Sequence, residues 1–339
     1  MNRIITILVI AIAGLILNPD AHCQKRKPTA KPAAKCAWIS FENSSDILQI
    51  ASDSKNVYVA LAWTKYLVII DKNTGGATKL PANNDVHAVV TSGDKCYYFV
   101  ATKGVFSYDP ATGQTDGPLF GIKASEDTFS VSKMAVSPDG RYLLCSDNVV
   151  DLTTGEKKAS DMSSTVALNN LGGAYLGKPE ACYCPAGGES FTISNRVVVE
   201  DIFADPVSKN AYFCCEQGVG FTPEVPKEDA GLTRVKSLGE ERVYCINRDD
   251  AGDFIFGIDG GIAIGGKNLE DPLTVFKPLN TGIKEGFVDL NVGSSSARMI
   301  TPDKSGNILI GCPYSGTLVI FNPNGLKGYT ALRGKCSRL

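Results

Sequence analysis

Short apolar runs separated by polar turns recur along this chain from about residue 36 to its end. No apolar pattern with the 3.6-residue period of a helix is sustained after Leu17. The unit is clearest between Met299 and Asn324, where apolar runs at 308–311 and 317–321 alternate with turns built from Asp, Pro, Gly and Asn. A unit this small cannot bury both of its faces alone, so the pattern predicts the stacking of several copies.

Seven copies are found when the chain is aligned on the polar turn before each second strand. The predicted second strands begin at Val57, Cys96, Tyr142, Ala174, Ala211, Phe254 and Ile308. Their mean spacing of about 42 residues is typical of four-stranded propeller blades. Third strands are predicted at 66–71, 104–109, 149–152, 219–222, 261–264 and 317–321. We therefore predict an all-β fold, a seven-bladed β-propeller of four-stranded antiparallel blades, with six or eight blades as alternatives because the copy at 174–193 is weak.

Two of the copies, at 250–262 and 303–312, carry a turn with Asp and Gly, followed by an apolar strand that ends in Gly. They resemble the periplasmic propeller repeats of two-component regulators, in which a sequence such as Asp-Gly-Asn-Leu-Trp-Ile-Gly-Thr occupies this place. Phe256 and Ile310, or their neighbours, stand where those repeats have tryptophan. The resemblance implies the fold of a ligand-binding sensor domain and leaves the signalling output open.

The first 23 residues predict a secretory signal peptide. Its apolar run, 4–17, is shorter than the about 20 residues that a membrane-spanning helix needs. Ala21 and Cys23 favour cleavage before Gln24, whereas the residues before Cys23 fit the lipid-attachment motif of a lipoprotein poorly. Residues 24–35 form a basic, Pro/Ala-rich linker. We expect a single propeller domain at 36–339, periplasmic or secreted after cleavage near Cys23/Gln24, with no transmembrane segment in the mature chain.

Charge and residue types narrow the function. The formal charge is −2, and loss of the signal peptide and the basic linker makes the remainder more acidic, which disfavours nucleic acid as a partner. His22 and His87 are the only histidines, and no glycine-rich phosphate motif occurs. We expect no cofactor. Calcium at the acidic turns 249–253 or 303–307 is the weaker alternative, because Asp in such turns usually binds its own backbone.

One face of the predicted ring carries the candidate binding residues. In a four-stranded meander, the loops between second and third strands lie on the same face as the connections between blades, around the central channel. The predicted ligand-binding residues of this face are charged, polar or aromatic: Trp63, Lys65, Lys103, Asp147, Lys178, Glu180, Glu216, Gln217, Arg242, Asp259, Arg298 and Tyr314. Ring stacking and guanidinium contacts suit a carbohydrate, and a protein is the other candidate ligand.

We therefore expect an exported, non-catalytic binding propeller that senses a ligand or serves as an envelope scaffold, with its oligomeric state left open. The alternative is a propeller enzyme, a lyase, lactonase or glycoside hydrolase. Such an enzyme would use a divalent cation and channel carboxylates such as Glu180 with Glu216 or Asp259. Three or more carboxylates converging at the channel mouth would favour the enzyme.

Ten cysteines follow the predicted cleavage site, in a compartment where disulfides persist. Eight of them lie in or beside predicted strands, where a thiol packs as a small apolar group. Cys36 and Cys336 instead bracket the propeller. The run 38–41 is predicted to complete the last blade beside the segment 328–332, so we predict a Cys36–Cys336 disulfide that holds the two ends of the ring together.

Overall fold

Each predicted repeat folds into an antiparallel sheet, and the sheets follow one another around a ring. The computed structural model describes residues 36–41, 46–120, 133–161, 163, 165–177, 179–195, 197–239, 241–276, 297–312, 316–332 and 336–338. The signal peptide and linker predicted at 1–35 lie outside these residues. Within them the chain forms seven sheets, six with four strands and one with five.

The strands run in order from the inside of each blade to its outside. Blades one to three consist of β2 (Ile47–Ser52), β3 (Asn56–Leu61), β4 (Tyr66–Asp71), β5 (Ala77–Pro81); β6 (Val86–Ser92), β7 (Lys95–Val100), β8 (Gly104–Asp109), β9 (Gln114–Phe120); and β10 (Met134–Val136), β11 (Tyr142–Cys145), β12 (Asn148–Asp151), β13 (Lys157–Ala159).

Blades four to six consist of β14 (Thr165–Leu168), β15 (Ala174–Gly177), β16 (Ala181–Cys184), β17 (Phe191–Ser194); β18 (Val199–Ala204), β19 (Ala211–Cys215), β20 (Gly218–Thr222), β21 (Thr233–Arg234); and β22 (Val243–Arg248), β23 (Phe254–Ile258), β24 (Gly261–Ile264), β25 (Thr274–Phe276). Blade seven has the order β26 (Met299–Pro302), β27 (Ile308–Cys312), β28 (Thr317–Phe321), β1 (Cys36–Ser40), β29 (Cys336–Arg338). Each first strand packs against the first strand of the next blade, and β26 packs against β2, which closes the ring.

The seven-bladed prediction is confirmed. Five of the seven second strands begin at the predicted residue, and the other two begin one residue earlier, at Asn56 and Lys95. The weak fourth copy is a complete blade, with one irregularity in the pairing of β16 with β17 between Ala181 and Cys182. Its regularity was hidden because its strands are only four residues long.

The apolar core lies between the blades rather than inside any one of them. Each of seven clusters of buried side chains draws its members from two neighbouring blades. In β3, for example, Val57 and Val59 pack towards blade seven, whereas Tyr58 and Ala60 pack towards blade two. Both faces of a second strand are therefore buried, which explains why these strands are continuous apolar runs without polar alternation.

An Asp or Asn organises the turn between the first and second strands in five of the blades. Asp53 Oδ1 accepts hydrogen bonds from the backbone N–H groups of Lys55 and Asn56, at 2.6 and 2.7 Å. Asn169, Asp205, Asp249 and Asp303 bond the amides of their own turns in the same way. These bonds satisfy backbone N–H groups that would otherwise have no hydrogen-bond acceptor at the end of the inner strand.

Blade seven is completed by both ends of the domain. β1 lies antiparallel to β28 and pairs Trp38 with Val319, as the predicted outer strand at 38–41 requires. The prediction for 328–332 is wrong: this segment hydrogen-bonds to the turn of blade one, where Tyr329 N donates to Lys72 O. The strand that lies beside β1 is instead β29, in parallel register. Gly328 permits the approach because a Cβ there would lie 2.3 Å from Lys72 O.

A buried polar cluster joins blade one, blade seven and the C-terminal segment. Lys72 is 3% exposed, and its ammonium donates to the carbonyl oxygens of Asp53 and Asp303. Burial lowers the pKa of Lys72, although the two aspartates raise it. Tyr329 donates its hydroxyl hydrogen to Asp303 Oδ2 at 3.0 Å, and burial raises the pKa of this phenol. We call Asp53, Lys72, Asp303, Asn307 and Tyr329 the closure cluster.

The predicted Cys36–Cys336 disulfide is not formed in this structure. Cys36 is a free thiol, 1% exposed, and its Sγ lies 3.9 Å from Ala37 O. In the register of β1 with β29 the residue opposite Cys336 is Trp38, two positions beyond Cys36. The ends of the domain are therefore held by strand pairing and by the closure cluster.

We expect Asp303→Ala to lower the free energy of unfolding by about 3 kcal/mol. The substitution removes the buried acceptor of four hydrogen bonds, which come from two backbone amides, the Asn307 side chain and the Tyr329 hydroxyl. The matched control is Asp249→Ala, which removes the same kind of hydrogen bonds from a half-buried turn and should lower the free energy of unfolding by about 1 kcal/mol. Urea unfolding followed by fluorescence measures both. Equal losses in the two variants would contradict a special role for the closure cluster.

We also expect the nine cysteines from Cys36 to Cys312 to resist alkylation in the folded chain. All nine are buried, and burial raises the pKa of Cys36, Cys215 and Cys312 to about 12. A Cys336→Ser variant of the 36–339 domain, treated with iodoacetamide at pH 8, should take up label only when urea is added. Mass spectrometry counts the labels. Rapid labelling of any of the nine without urea would contradict the burial described.

Candidate functional site

The seven inner strands surround a central channel with two different ends. At one end lie the loops between second and third strands together with the connections between blades, and we call this side the loop face. At the other end lie the tight turns that follow the inner strands, and we call this side the turn face. The predicted binding residues that the structure describes belong to loops or connections of the loop face.

Near the loop face an ion pair faces the channel. Lys133 Nζ, at the start of blade three, lies 3.0 Å from Asp201 Oδ1 of blade five, and each side chain is about one-fifth exposed. Burial alone would lower the pKa of Lys133, but the facing carboxylate raises it above its usual value. A cavity of about 150 Å³ beside the pair is also lined by Gln49 and Arg298.

Gln49 ties three inner strands together below this cavity. Its Nε2 donates to Met134 O at 2.8 Å, and its Oε1 accepts from the backbone N–H groups of Met134 and Val89 at 3.1 and 3.3 Å. One side chain thus joins the inner strands of blades one, two and three beside this cavity.

A second charged group lies between blades five, six and seven. Glu200 accepts a hydrogen bond from Arg242, and its other oxygen lies 3.8 Å from Arg298 Nη1. The two guanidinium groups also stack on the ring of Tyr244, at 5.0 and 4.9 Å from its centroid. Glu216 lies 3.4 Å from Arg242, whose pKa is raised mainly by its bond to Glu200. We call these five residues the arginine cluster.

Among the large aromatic side chains that the structure describes, Trp63 is the exposed one, with 77% of its surface accessible. It has a φ of 60°, and the equivalent loops of blades two and three hold Thr102 at 61° and Ser146 at 57°. The left-handed conformation therefore belongs to this loop type, and it fixes the direction of the Cα–Cβ bond of Trp63. The next residue, Thr64, is buried and donates its hydroxyl hydrogen to Leu61 O at 3.0 Å, which anchors the loop.

Polar residues occupy the loop that carries this tryptophan and the neighbouring loops of blade two. Asn84 donates to Thr102 Oγ1 at 3.1 Å, and the backbone of blade two bonds to that of blade one between Val86 N and Thr64 O. Lys65 and Lys103 are exposed on the same loops. We call Trp63, Lys65, Asn84, Thr102 and Lys103 the tryptophan patch.

The structure brings together only some of the predicted residues. Arg242, Arg298 and Glu216 meet in the arginine cluster. Glu180 accepts a hydrogen bond from Thr192 at 3.1 Å. Trp63, Lys65 and Lys103 belong to the tryptophan patch, and Asp147, Gln217 and Asp259 are exposed on other loops. Lys178 and Tyr314 lie outside the described residues.

Sequence reasoning missed the residues of the inner strands: Gln49, Lys133, Glu200, Asp201 and Tyr244. The usable signal was a charged residue where an inner strand begins, as in Val-Glu-Asp-Ile at 199–202 and Lys-Met-Ala-Val at 133–136. A charge placed there faces the channel and needs a partner from another blade.

The charged side chains of the inner strands described here form pairs of opposite charge rather than a group of converging carboxylates. Glu200 faces two arginines, and Asp201 faces Lys133. No group of three His, Cys, Asp or Glu side chains that could hold a metal ion occurs in the part of the chain that the structure describes. At the two turns considered for calcium, the Asp249 and Asp303 side chains accept backbone hydrogen bonds.

No family model matches the chain, and no curated protein matches it. Two solved structures from B. thetaiotaomicron are similar in fold. They are described as extracellular domains of the hybrid two component systems BT4673 (TM-score 0.59, 14% identity, 84% of this chain) and BT3049 (0.55, 16%, 83%). This chain spans 39% and 40% of their lengths. The WD40 propeller of Doa1 is also similar (0.61, 12%, covering 86% of this chain and 96% of that one).

At these identities the comparisons establish the fold. They confirm, at that level, the resemblance to propellers of two-component regulators that the repeats indicated. No helix among the described residues is long and apolar enough to cross a membrane.

We expect the Lys133–Asp201 pair to behave as a coupled, largely buried pair. Asp201→Leu alone should cost about 2 kcal/mol of unfolding free energy, because it leaves Lys133 without its partner. Lys133→Met added to it should recover at least half of that loss. A double-mutant cycle by urea unfolding measures the coupling, with the exposed pair Lys158–Glu156 as control, where about 0.3 kcal/mol is expected. Additive losses at Lys133 and Asp201 would refute the coupling.

Proposed function

We propose that this chain is an exported, non-catalytic binding propeller whose ligand docks on the loop face. The observation that carries the proposal is Trp63, a large indole held in solvent by a loop that is anchored through buried Thr64. An apolar ring of this size is rarely kept exposed and oriented without a partner. The similarity in fold to extracellular domains supports export, together with the predicted signal peptide.

The ligand class that the tryptophan patch suits best is carbohydrate. An exposed indole offers a flat face on which a sugar ring stacks, and the surrounding side chains supply ammonium, amide and hydroxyl groups for its hydroxyls. The arginine cluster, on the other side of the ring, adds guanidinium groups that suit a carboxylate-bearing sugar. A protein that covers Trp63 is the second candidate, because exposed tryptophans also serve as anchors in protein interfaces.

Catalysis is not part of the proposal. The carboxylates of Glu200 and Asp201 each face a basic side chain, so neither is placed as a free acid or base. An enzyme of this fold would need carboxylates that are available to substrate or metal.

The experiment is a microarray of neutral and uronate-containing oligosaccharides, followed by calorimetry with the strongest hit. Trp63→Ala should weaken that binding at least tenfold without changing the melting temperature, because the side chain is exposed. Leu171→Ala is the matched control: Leu171 is an exposed apolar residue (56%) on the turn face, and its loss should leave binding unchanged.

A hit that survives Trp63→Ala, or that is lost equally in Leu171→Ala, would contradict docking at the tryptophan patch. If no sugar binds, the carbohydrate assignment fails. Retention of a protein partner by the wild type but not by Trp63→Ala would then support the second candidate.

A further inference from the structure

The innermost strand of each blade is an edge strand. β2, β6, β10, β14, β18, β22 and β26 each pair with the second strand of their own blade and with no other described strand. They pack against one another around the channel without hydrogen-bonding into one sheet. One edge of each inner strand therefore presents backbone N–H and C=O groups to the channel.

The strand register shows which residues present these groups. In blade five Asp205 N donates to Asn210 O, so the adjacent pair, Ala204 with Ala211, is a non-hydrogen-bonded pair. The N–H and C=O groups of Ala204 consequently point away from β19 and into the channel. The same backbone bond occurs in five other blades, and the residues equivalent to Ala204 are Ser52, Val136, Leu168, Arg248 and Pro302.

Pro302 supports this assignment. A proline has no N–H to donate, so it fits within a strand only where the nitrogen faces away from the ladder. Pro302 pairs with Ile308 at the end of inner strand β26, and its nitrogen faces the channel by the same alternation.

Side chains of the inner strands already bond some of the channel-facing groups. Besides the three bonds of Gln49, Thr91 Oγ1 donates to Ser52 O at 3.0 Å, and Asn247 Nδ2 donates to Ile300 O at 3.1 Å. The N–H groups of other channel-facing residues, such as Val136 and Ala204, have no such partner among the described residues. Buried backbone groups of this kind require water or a ligand as their hydrogen-bond partner.

A cavity of about 390 Å³ occupies the turn-face part of the channel, and Val136 and Ala204 are among its lining residues. The aliphatic side chains of the inner strands pack into the clusters between blades, as those of Ile50 and Ile202 do, so backbone groups form much of the wall. Lys304 is the only ionisable side chain among the described lining residues, and it is exposed. The wall is thus polar and nearly uncharged, and the volume lies in the range of small-ligand pockets.

We propose that this part of the channel binds a neutral polyhydroxylated molecule about the size of one sugar ring. A hydroxyl both donates and accepts a hydrogen bond, so it matches a wall on which N–H and C=O groups lie side by side. One such molecule replaces several ordered waters at once, and their release favours binding. A ligand with about twelve heavy atoms is expected to bind with a Kd of about 1 mM.

This site does not use the tryptophan patch, so it is tested separately from the proposed function. Trp63→Ala should leave binding in the channel unchanged. Loss of channel binding in Trp63→Ala would place the molecule on the loop face and overturn the channel site.

The probes are myo-inositol and cyclohexanol, which share a six-carbon ring and differ in the number of hydroxyl groups. Nuclear magnetic resonance titration of the purified protein should show one saturable site for myo-inositol and none for cyclohexanol. In the wild type, the amide signal of Ala204 should shift more than that of Phe203, whose N–H faces the ladder with Tyr212.

A pair of variants tests the backbone groups directly. Ala204→Pro combined with Val136→Pro removes two channel-facing N–H groups and no ladder bond, as Pro302 does in blade seven. This variant should weaken myo-inositol about tenfold. The matched control, Ala204→Gly combined with Val136→Ala, changes the same side chains but keeps both N–H groups, and it should bind as the wild type does.

Four results would overturn the proposal. The first is no saturable binding of myo-inositol at ~50 mM, which would mean that the channel holds water only. The second is equal binding of cyclohexanol, and the third is an amide shift at Phe203 as large as that at Ala204. The fourth is unchanged myo-inositol binding in a folded double-proline variant. The amide shifts are measured on the wild type, so they decide the question even where that variant does not fold.

Discussion

The packing of apolar cores between blades is the constraint on which this structure depends. Because each cluster takes side chains from two neighbours, a blade with a missing neighbour exposes one whole face of its second strand. The ring is therefore stable only as a closed object, unlike an open solenoid that needs caps at its ends. Closure falls on blade seven, where β1 joins β28 and where Lys72 bridges to Asp303.

Charged residues in the interior follow the same geometry. A polar side chain on an inner strand cannot reach bulk water easily, so its partner comes from another blade. Lys133 of blade three meets Asp201 of blade five. Arg248 forms two hydrogen bonds of 2.8 Å to Asp205 of the preceding blade, and Glu200 meets arginines from blades six and seven. Arg248 overcomes the effect of burial and holds the pKa of Asp205 below its usual value. These pairs fix how the blades are placed relative to one another.

The sequence was sufficient to predict the blades because each repeat carries its own turn chemistry. The Asp or Asn before a second strand binds its own backbone, so the signal is local and can be read without knowing any distant partner. Contacts between blades carry no such signal. Arg242 and Arg298 were identified as surface residues, yet Glu200, which joins them, was missed because it lies on an inner strand 42 and 98 residues away. The packing of segment 328–332 against blade one and the free thiol of Cys36 were missed for the same reason. Both depend on how the two ends of the domain pair with other strands and turns.

The strand Cys36–Ser40 is the first part of the domain to be synthesised and the last to find its place. Its partner β28 begins at Thr317, so a ribosome or a translocation channel has released almost the entire domain before the two can pair. Until then β28 presents an unpaired edge that accepts any strand of suitable register, including Cys36–Ser40 from another copy of the chain. High local concentration of nascent chains consequently favours exchanged dimers, and delivery of chains one at a time favours the monomeric ring.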